Sequence, residues 1–340
     1  MKIYVGIDLH SNNSYFGVIN ESGERLYDKR IANNPDKILG AMSLISKFGE
    51  IEDVVIESTY NWFWLVDLLS ENDYPATLAN PAQIKQYSGM KVTTDKTDAF
   101  FLAELTRLNI LPKCWICPPG ERATRELLRL RLYLVQKKSS MKTSLAQLVS
   151  RYSGLSIRGT KIVNMDKAGR HELIGFEDAL FRAEELVIQI NSLEASIKRT
   201  EEQALKRLKL KPEFELLTTV PGIGKVLALT IMVETGDVSR FSQSGNYTSY
   251  CRCVTSNRYS NGKRKGTNNK KNGNKYLSWA YSEAAINTCR YSDGAKSYFD
   301  RKVSRTNKMV AYRSLAAKLT KACYHMMKNR EVYREEKTFY

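Results

Sequence analysis

The stretch Lys2-Ile3-Tyr4-Val5-Gly6-Ile7-Asp8-Leu9 decides how the first third of the chain folds. Apolar residues on both faces of so short a run describe a strand covered on both sides by other structure. Asp8 is out of character there, because an ionised carboxylate in apolar surroundings is costly unless it is paired or meets a cation. The same pattern returns in Val54-Val55-Ile56-Glu57, again with an acid at the strand end. Between these runs, Ser14–Asn20 and Gly23–Ala32 read as a second and a third strand around a turn at Asn20-Glu21-Ser22-Gly23. Pro35 opens a helix to about Phe48, in keeping with proline's place in a first helical turn. Asp53–Glu57 then forms a strand, Trp62–Ser70 a helix and Ala76–Ala79 a strand, and Pro81 begins a further helix.

Three strands followed by helix, strand, helix and strand is the order of a ribonuclease-H-like α/β domain, here spanning residues 1–112. In such a sheet the strands ending in Asp8 and Glu57 are neighbours. Asp95 and Asp98 stand three apart at a helix start, which puts both on one helical face. Each acid alone has an ordinary explanation, Asp8 in a turn and Asp95 as a helix cap. Four converging carboxylates repel one another unless cations lie between them. Mg²⁺ prefers such hard oxygen ligands, and a metal pair can orient one oxygen while stabilising another on phosphorus.

Charge separates this part from the rest. The whole chain has 53 Lys and Arg against 36 Asp and Glu, net +17, yet residues 1–110 hold 10 basic and 15 acidic residues. The remainder, with 43 basic and 21 acidic residues, therefore carries +22. An acidic domain followed by a strongly basic body suits a polyanionic partner. The N-terminus lacks the apolar core and cleavage site of a signal peptide, and no run approaches a membrane span, so a cytoplasmic location is expected. The scattered cysteines fit reduced, buried thiols; a zinc site from Cys114, Cys117, Cys251 and Cys253 has the wrong second spacing.

Residues 120–208 change character. Leu127, Leu134, Met141 and Leu148 recur every seven residues, as do Ala183, Ile190, Ile197 and Ala204. Two long helices forming a hairpin or an intermolecular coiled coil account for this, as do two amphipathic helices of one globular domain. A mainly helical section follows over 209–335, ending in a helix from about Met309 to Lys328. Within it, Pro221-Gly222-Ile223-Gly224-Lys225 resembles the turn of a helix-hairpin-helix, whose amides grip phosphates without reading sequence. Ser256 to Lys275 is rich in Gly, Asn and Lys, lacks acids and reads as a basic loop. There Gly262 and Gly266 permit close backbone approach to a phosphate, and Arg258, Lys263, Arg264, Lys265, Lys270, Lys271 and Lys275 can neutralise it. Ser260 is then either a phosphate-contacting hydroxyl or a nucleophile.

Taken in order, Gly6-Ile7-Asp8, Ile56-Glu57-Ser58-Thr59, Asn80-Pro81, Lys91 to Ala99, Val220 to Gly224, Ser260 to Lys263 and Lys271 to Leu277 resemble one family. It is that of insertion-sequence transposases with a RuvC-like DEDD domain and a C-terminal serine transposase domain, the bridge-RNA-guided recombinases. The resemblance implies that Asp8, Glu57, Asp95 and Asp98 bind Mg²⁺ at a scissile phosphate and that Ser260 attacks it to form a transient phosphoserine link. It also implies donor and target DNA, a non-coding bridge RNA and a homo-oligomer, dimer or tetramer, as partners. The chain departs from the family around Ser260, reading Ser-Asn-Gly-Lys where many relatives have two serines and two glycines; Ser256 therefore stays a second candidate. The rival readings are a metal-only RuvC-like endonuclease or junction resolvase, in which water attacks, and a nucleic-acid-binding protein without catalysis.

Overall fold

Strand β1 (Lys2–Leu9) pairs on one side with antiparallel β2 (Asn13–Asn20) and on the other with parallel β4 (Glu50–Glu57). With β3 (Arg25–Ala32) beyond β2 and β5 (Ala76–Ala79) beyond β4, they form a five-stranded sheet ordered β3-β2-β1-β4-β5. The computed structural model describes residues 1–84, 94–207, 211–267 and 272–339. They divide into two units, Met1–Cys117 and Pro118–Tyr340.

In the first unit, Asn34 caps helix α1 (Pro35–Ile45), and a short 3-10 turn (Ser46–Phe48) completes the helix expected to Phe48. Helix α2 (Phe63–Glu71) precedes β5. One sheet face packs Ile3, Val5 and Ile7 against Ile38, Met42, Leu65 and Leu69. The helix expected from Pro81 starts as a turn, in which the backbone N–H groups of Gln83 and Ile84 donate to Asn80 O; residues 85–93 lie outside the described residues. Helix α3 (Asp95–Arg107) lies over β1 and β2.

Gly6 and Gly17 are opposite each other in the β1–β2 register. A β-carbon at Gly6 would run into the Ala99 carbonyl of α3, and one at Gly17 would crowd the Phe100 backbone. The paired glycines thus form a flat track on which α3 comes down onto the sheet. Thr94 and Thr97 fix where the helix starts by reciprocal capping: Thr97 N–H donates to Thr94 Oγ1 at 3.3 Å and Thr94 N–H to Thr97 Oγ1 at 2.8 Å.

The second unit is helical apart from one hairpin. Helix α4 (Pro119–Ser153) packs along α7 (Glu177–Lys206) within the same chain, with α5 (Gly159–Val163) and α6 (Lys167–Ile174) between them in sequence. Leu148, Ala183 and Ile190 of the seven-residue series meet in one cluster, together with Leu145, Val149 and Val187, which lie between its positions. Nearer the other end, Arg131 pairs with Glu201 at 2.7 Å, and Leu128 and Ala204 join the C-terminal core. That core is built from α8 (Pro212–Thr218), α9 (Lys225–Thr235), α10 (Ser244–Tyr250), α11 (Lys275–Tyr291), α12 (Asp293–Val303), α13 (Lys308–Asn329) and α14 (Glu335–Phe339).

The segment expected as a basic loop is instead a hairpin of β6 (Asn257–Ser260) and β7 (Lys263–Thr267). Its two-residue connection, Asn261-Gly262, has both residues at positive φ, 50° and 71°, as the turn that matches strand twist requires. The ribbon lacks alternating apolar residues because it covers no core, and that hid it from a reading based on hydrophobic period. No helix among the described residues is long and apolar enough to cross a membrane.

Candidate metal centre and nucleic-acid interface

The register carries Asp8 and Glu57 together. Ile7 pairs with Ile56 in the parallel β1–β4 ladder, so the next residue on each strand is an acid at the same sheet edge. Asp8 is two residues beyond Gly6 on the face that α3 covers, and Ala99 of α3 sits against Gly6. The close approach therefore brings the first turn of α3, with Asp95 and Asp98, over the strand ends.

The four acids influence one another. Burial raises Asp8 to about 6, and the charges of Glu57, Asp95 and Asp98 add to the rise while His10 opposes it. Burial, then the charge of Asp98, raises Glu57. Asp98 is raised by burial and by Asp95. Asp95 goes the other way, lowered chiefly by its hydrogen bond from Arg30, whose Nη2 lies 2.5 Å from Oδ2. Burial is the first cause of all three rises and neighbouring acids add to each, a balance that a cation would shift back toward the ionised forms.

Two members of this cluster escaped the reading of the sequence. His10 Nε2 lies 3.1 Å from Asp8 Oδ2 and 3.2 Å from Asp95 Oδ2. The imidazole is partly exposed, but Nε2 itself is shut off from solvent and lacks the in-line geometry of a hydrogen bond to either carboxylate. Asp8, His10 and Asp95 offer ligand atoms within 4.8 Å of one another, the one such group of metal-ligating residues among the described residues. The His10 carbonyl is held by the side-chain amides of Asn33 and Asn61 at 2.9 and 3.0 Å. Its signal was present: a residue two after Asp8 falls on the same side of an extended strand. Arg30 could be found only from the register, since Asp8 pairs with Tyr15 and Tyr15 with Arg30 across three strands. A hard-oxygen set with one imidazole nitrogen fits a divalent cation such as Mg²⁺ or Mn²⁺.

In the second unit, Ser260 stands at the exposed end of the ribbon, paired with Lys263. Arg258, Lys263, Arg264 and Lys265 are exposed along it, and a register slip leaves Lys265 as the bulged residue. Ser256, just before β6, is half-buried in the wall of a cleft. Lys275 is exposed at the start of α11, while Lys270 and Lys271 lie outside the described residues. The turn between α8 and α9 separates its two glycines. Gly222, at φ 91°, packs against the α11 backbone around Thr288, whose hydroxyl donates to Pro221 O at 2.7 Å. Gly224 and Lys225 are exposed at the N-terminus of α9. The cysteines are free, and none belongs to a metal-ligating group among the described residues.

A sheet edge that sets Asp8 beside Glu57, with the start of α3 and His10 close by, is suited to holding a cation. The comparisons carry this further: a family model for the DEDD transposase of IS110 elements matches residues 5–153, and one for the transposase IS116/IS110/IS902 family matches residues 214–300. The chain is thus an insertion-sequence transposase built from two IS110-family transposase domains, with DNA as its substrate. A comparison with curated proteins finds no match.

Proposed function

We propose that the chain cuts and rejoins DNA with Mg²⁺ held by Asp8, Glu57, Asp95 and Asp98, with Ser260 as nucleophile and a bridge RNA as guide. The observation that supports the metal part is the meeting of ligand atoms of Asp8, His10 and Asp95 within 4.8 Å, with Asp8 buried at the strand end beside Glu57. Bound there, Mg²⁺ supplies positive charge to phosphoryl oxygens as negative charge builds on them. Ser260 Oγ bonds to phosphorus while the bond from phosphorus to the leaving strand breaks, the serine's proton ending on the departing strand's oxygen. A hydroxyl of the second strand then displaces the serine, so the phosphodiester is conserved without water. The exposed position of Ser260 among four cations of the ribbon supports this role. The basic surface, the RNA guide and an assembly of several protomers belong to the same reading, which rests for them on the family likeness.

One observation favours a second serine: Ser256 lines a cleft with arginines, where Ser260 does not. A denaturing-gel search for a protein–DNA adduct separates the possibilities, using Mg²⁺, element-flanking RNA and matching DNA. The adduct is expected in the wild type and in Ser256→Ala, and is lost in Ser260→Ala and Asp8→Ala. Loss in Ser256→Ala alone transfers the nucleophile to Ser256. Metal-dependent cleavage without an adduct, surviving both serine changes, leaves a water-using nuclease.

A further inference from the structure

Beside the ribbon lies a cleft of about 720 Å³ whose wall includes Arg252, Arg264 and Arg313 and the hydroxyl-bearing Ser249, Ser256 and Ser278. No carboxylate is among its lining residues. Three guanidinium groups thus share one concavity among the described residues. Two of the arginines are fixed from behind. Arg252 Nε donates to Gly273 O at 2.9 Å, and Arg313 Nη2 donates to Arg252 O at 2.7 Å. The second bond ties α13 to Arg252, which itself adopts a positive φ of 55°. Arg252 is sufficiently removed from water for burial to lower its pKa. A concavity lined by guanidinium groups and hydroxyls, all of which can donate, suits an anion that accepts several bonds and carries charge.

We infer that this cleft binds a backbone phosphate of a nucleic-acid strand, holding the strand beside the β6–β7 ribbon. The inference rests on the reading of the chain as an enzyme of DNA strands, but not on which serine attacks. Arg264 reaches the cleft from β7 and Arg313 from α13, so the phosphate bridges the ribbon to the helical core. A phosphodiester is common to DNA and RNA, and the test keeps them apart.

Binding requires neither the nucleophile nor the metal, so it is measured in the full-length Ser260→Ala protein with EDTA present. The probes are fluorescein-labelled duplex DNA, single-stranded DNA and RNA of one sequence, read by anisotropy. Ser278→Asp and Ser278→Asn differ only in charge within the cleft. The Asn variant is expected to bind within about twofold of its parent, and the Asp variant about tenfold or more weaker on the strand type the cleft holds. Its plot of log affinity against log salt is expected to be shallower by about 0.7–0.9, one phosphate contact. Arg264→Gln, on the exposed ribbon, tests the same cleft without burdening the fold; Arg290→Gln, at the end of α11 and away from the cleft, is its charge-matched control. Loss with duplex DNA assigns the cleft to a DNA substrate, and loss confined to the RNA probe assigns it to an RNA partner. Equal binding by the Asp and Asn variants on all three probes, with Arg264→Gln no weaker than Arg290→Gln, overturns the inference. An absent adduct in the preceding experiment alongside these binding losses would reject serine chemistry and leave the cleft standing.

Discussion

The acidic edge of the first unit and the basic ribbon of the second present their functional groups in opposite ways. Asp8 is 4% exposed, rooted in a central strand whose neighbours on both sides fix its register. Ser260 is exposed at the tip of a two-stranded ribbon that covers no core. A centre that gathers like charges needs a stiff support, because relaxation of the acids away from one another would dissolve it. A ribbon that meets a polyanion needs the reverse, a surface that solvates its cations until the partner arrives. Buried acids therefore carry shifted pKa values, whereas the cations of the ribbon stand exposed.

The largest expected effect tests the stiff half through its protons. Folding raises Asp8 from 3.8 to about 6, with burial as the first cause. Between those values the folded chain holds a proton that the unfolded chain releases, so metal-free stability falls as pH rises through this window. Glu57 and Asp98 are raised too and act in the same sense; Asp95, lowered by Arg30, acts against it. A divalent cation must displace these protons, so its affinity weakens on acidification. Calorimetric titration with Mn²⁺ should show affinity about tenfold weaker at pH 5 than at pH 7.5 from Asp8 alone. Asp8→Asn should lower affinity at pH 7.5 by more than about 100-fold, beyond the usual loss for an outer-shell partner. It should also flatten the contribution of Asp8 to melting temperature between pH 4 and 6. Unchanged Mn²⁺ affinity in Asp8→Asn removes the acid from the metal centre.

The two halves were also unequally legible. The sheet could be read because β1 and β4 are apolar runs with an acid where none belongs, and the strand order then made Asp8 and Glu57 neighbours. The helix start was read from Asp95 and Asp98 three apart, while the Thr94–Thr97 capping that fixes it went unread. What sequence could not supply was the third dimension of that edge. Arg30 joins it through pairing across β2, and Gly6 and Gly17 set the height of α3 only when both strands are in register. In the ribbon the hydrophobic period carried no information, and its signature, Asn261-Gly262, lay inside a run already explained by its charge. The arginine cleft was hidden more deeply, since Arg252, Arg264 and Arg313 come from a turn, a strand and a distant helix.

A middle-sized effect is expected where the exposed ribbon meets the core. Glu234, 1% exposed on α9, accepts from Arg125, from Arg129 at 2.7 Å and from the Asn274 side-chain amide at 2.7 Å. Asn274 in turn caps α11, its Oδ1 accepting from the backbone N–H groups of Tyr276 and Leu277. One buried carboxylate therefore holds α4, α9 and the start of α11, the first helix after the ribbon. Glu234→Gln leaves two arginines facing a neutral amide in low dielectric and should cost about 3 kcal/mol of stability. Thermal and urea unfolding of the full chain should show the loss in the transition of the Pro118–Tyr340 unit, with the Met1–Cys117 unit unmoved. A change in both transitions would mean that the network does not belong to one unit alone.

The smallest expected effect isolates the ribbon itself. Gly262 has φ 71° and open space around a would-be β-carbon, so Gly262→Ala introduces conformational strain without a clash. The cost is about 1 kcal/mol, and it falls on the turn that places Ser260 opposite Lys263. Because the ribbon covers no core, this cost should leave the main melting transitions where they are. It should appear as a several-fold slower formation of the serine–DNA adduct and as faster amide exchange at Ser260 and Lys263. Gly6→Ala makes the opposite case: its β-carbon meets the Ala99 carbonyl, so the strain falls on the sheet and helix that hold the acids. An adduct rate untouched by Gly262→Ala would show that the chemistry does not depend on the turn's geometry, and would move attention from Ser260 to Ser256 at the ribbon's foot.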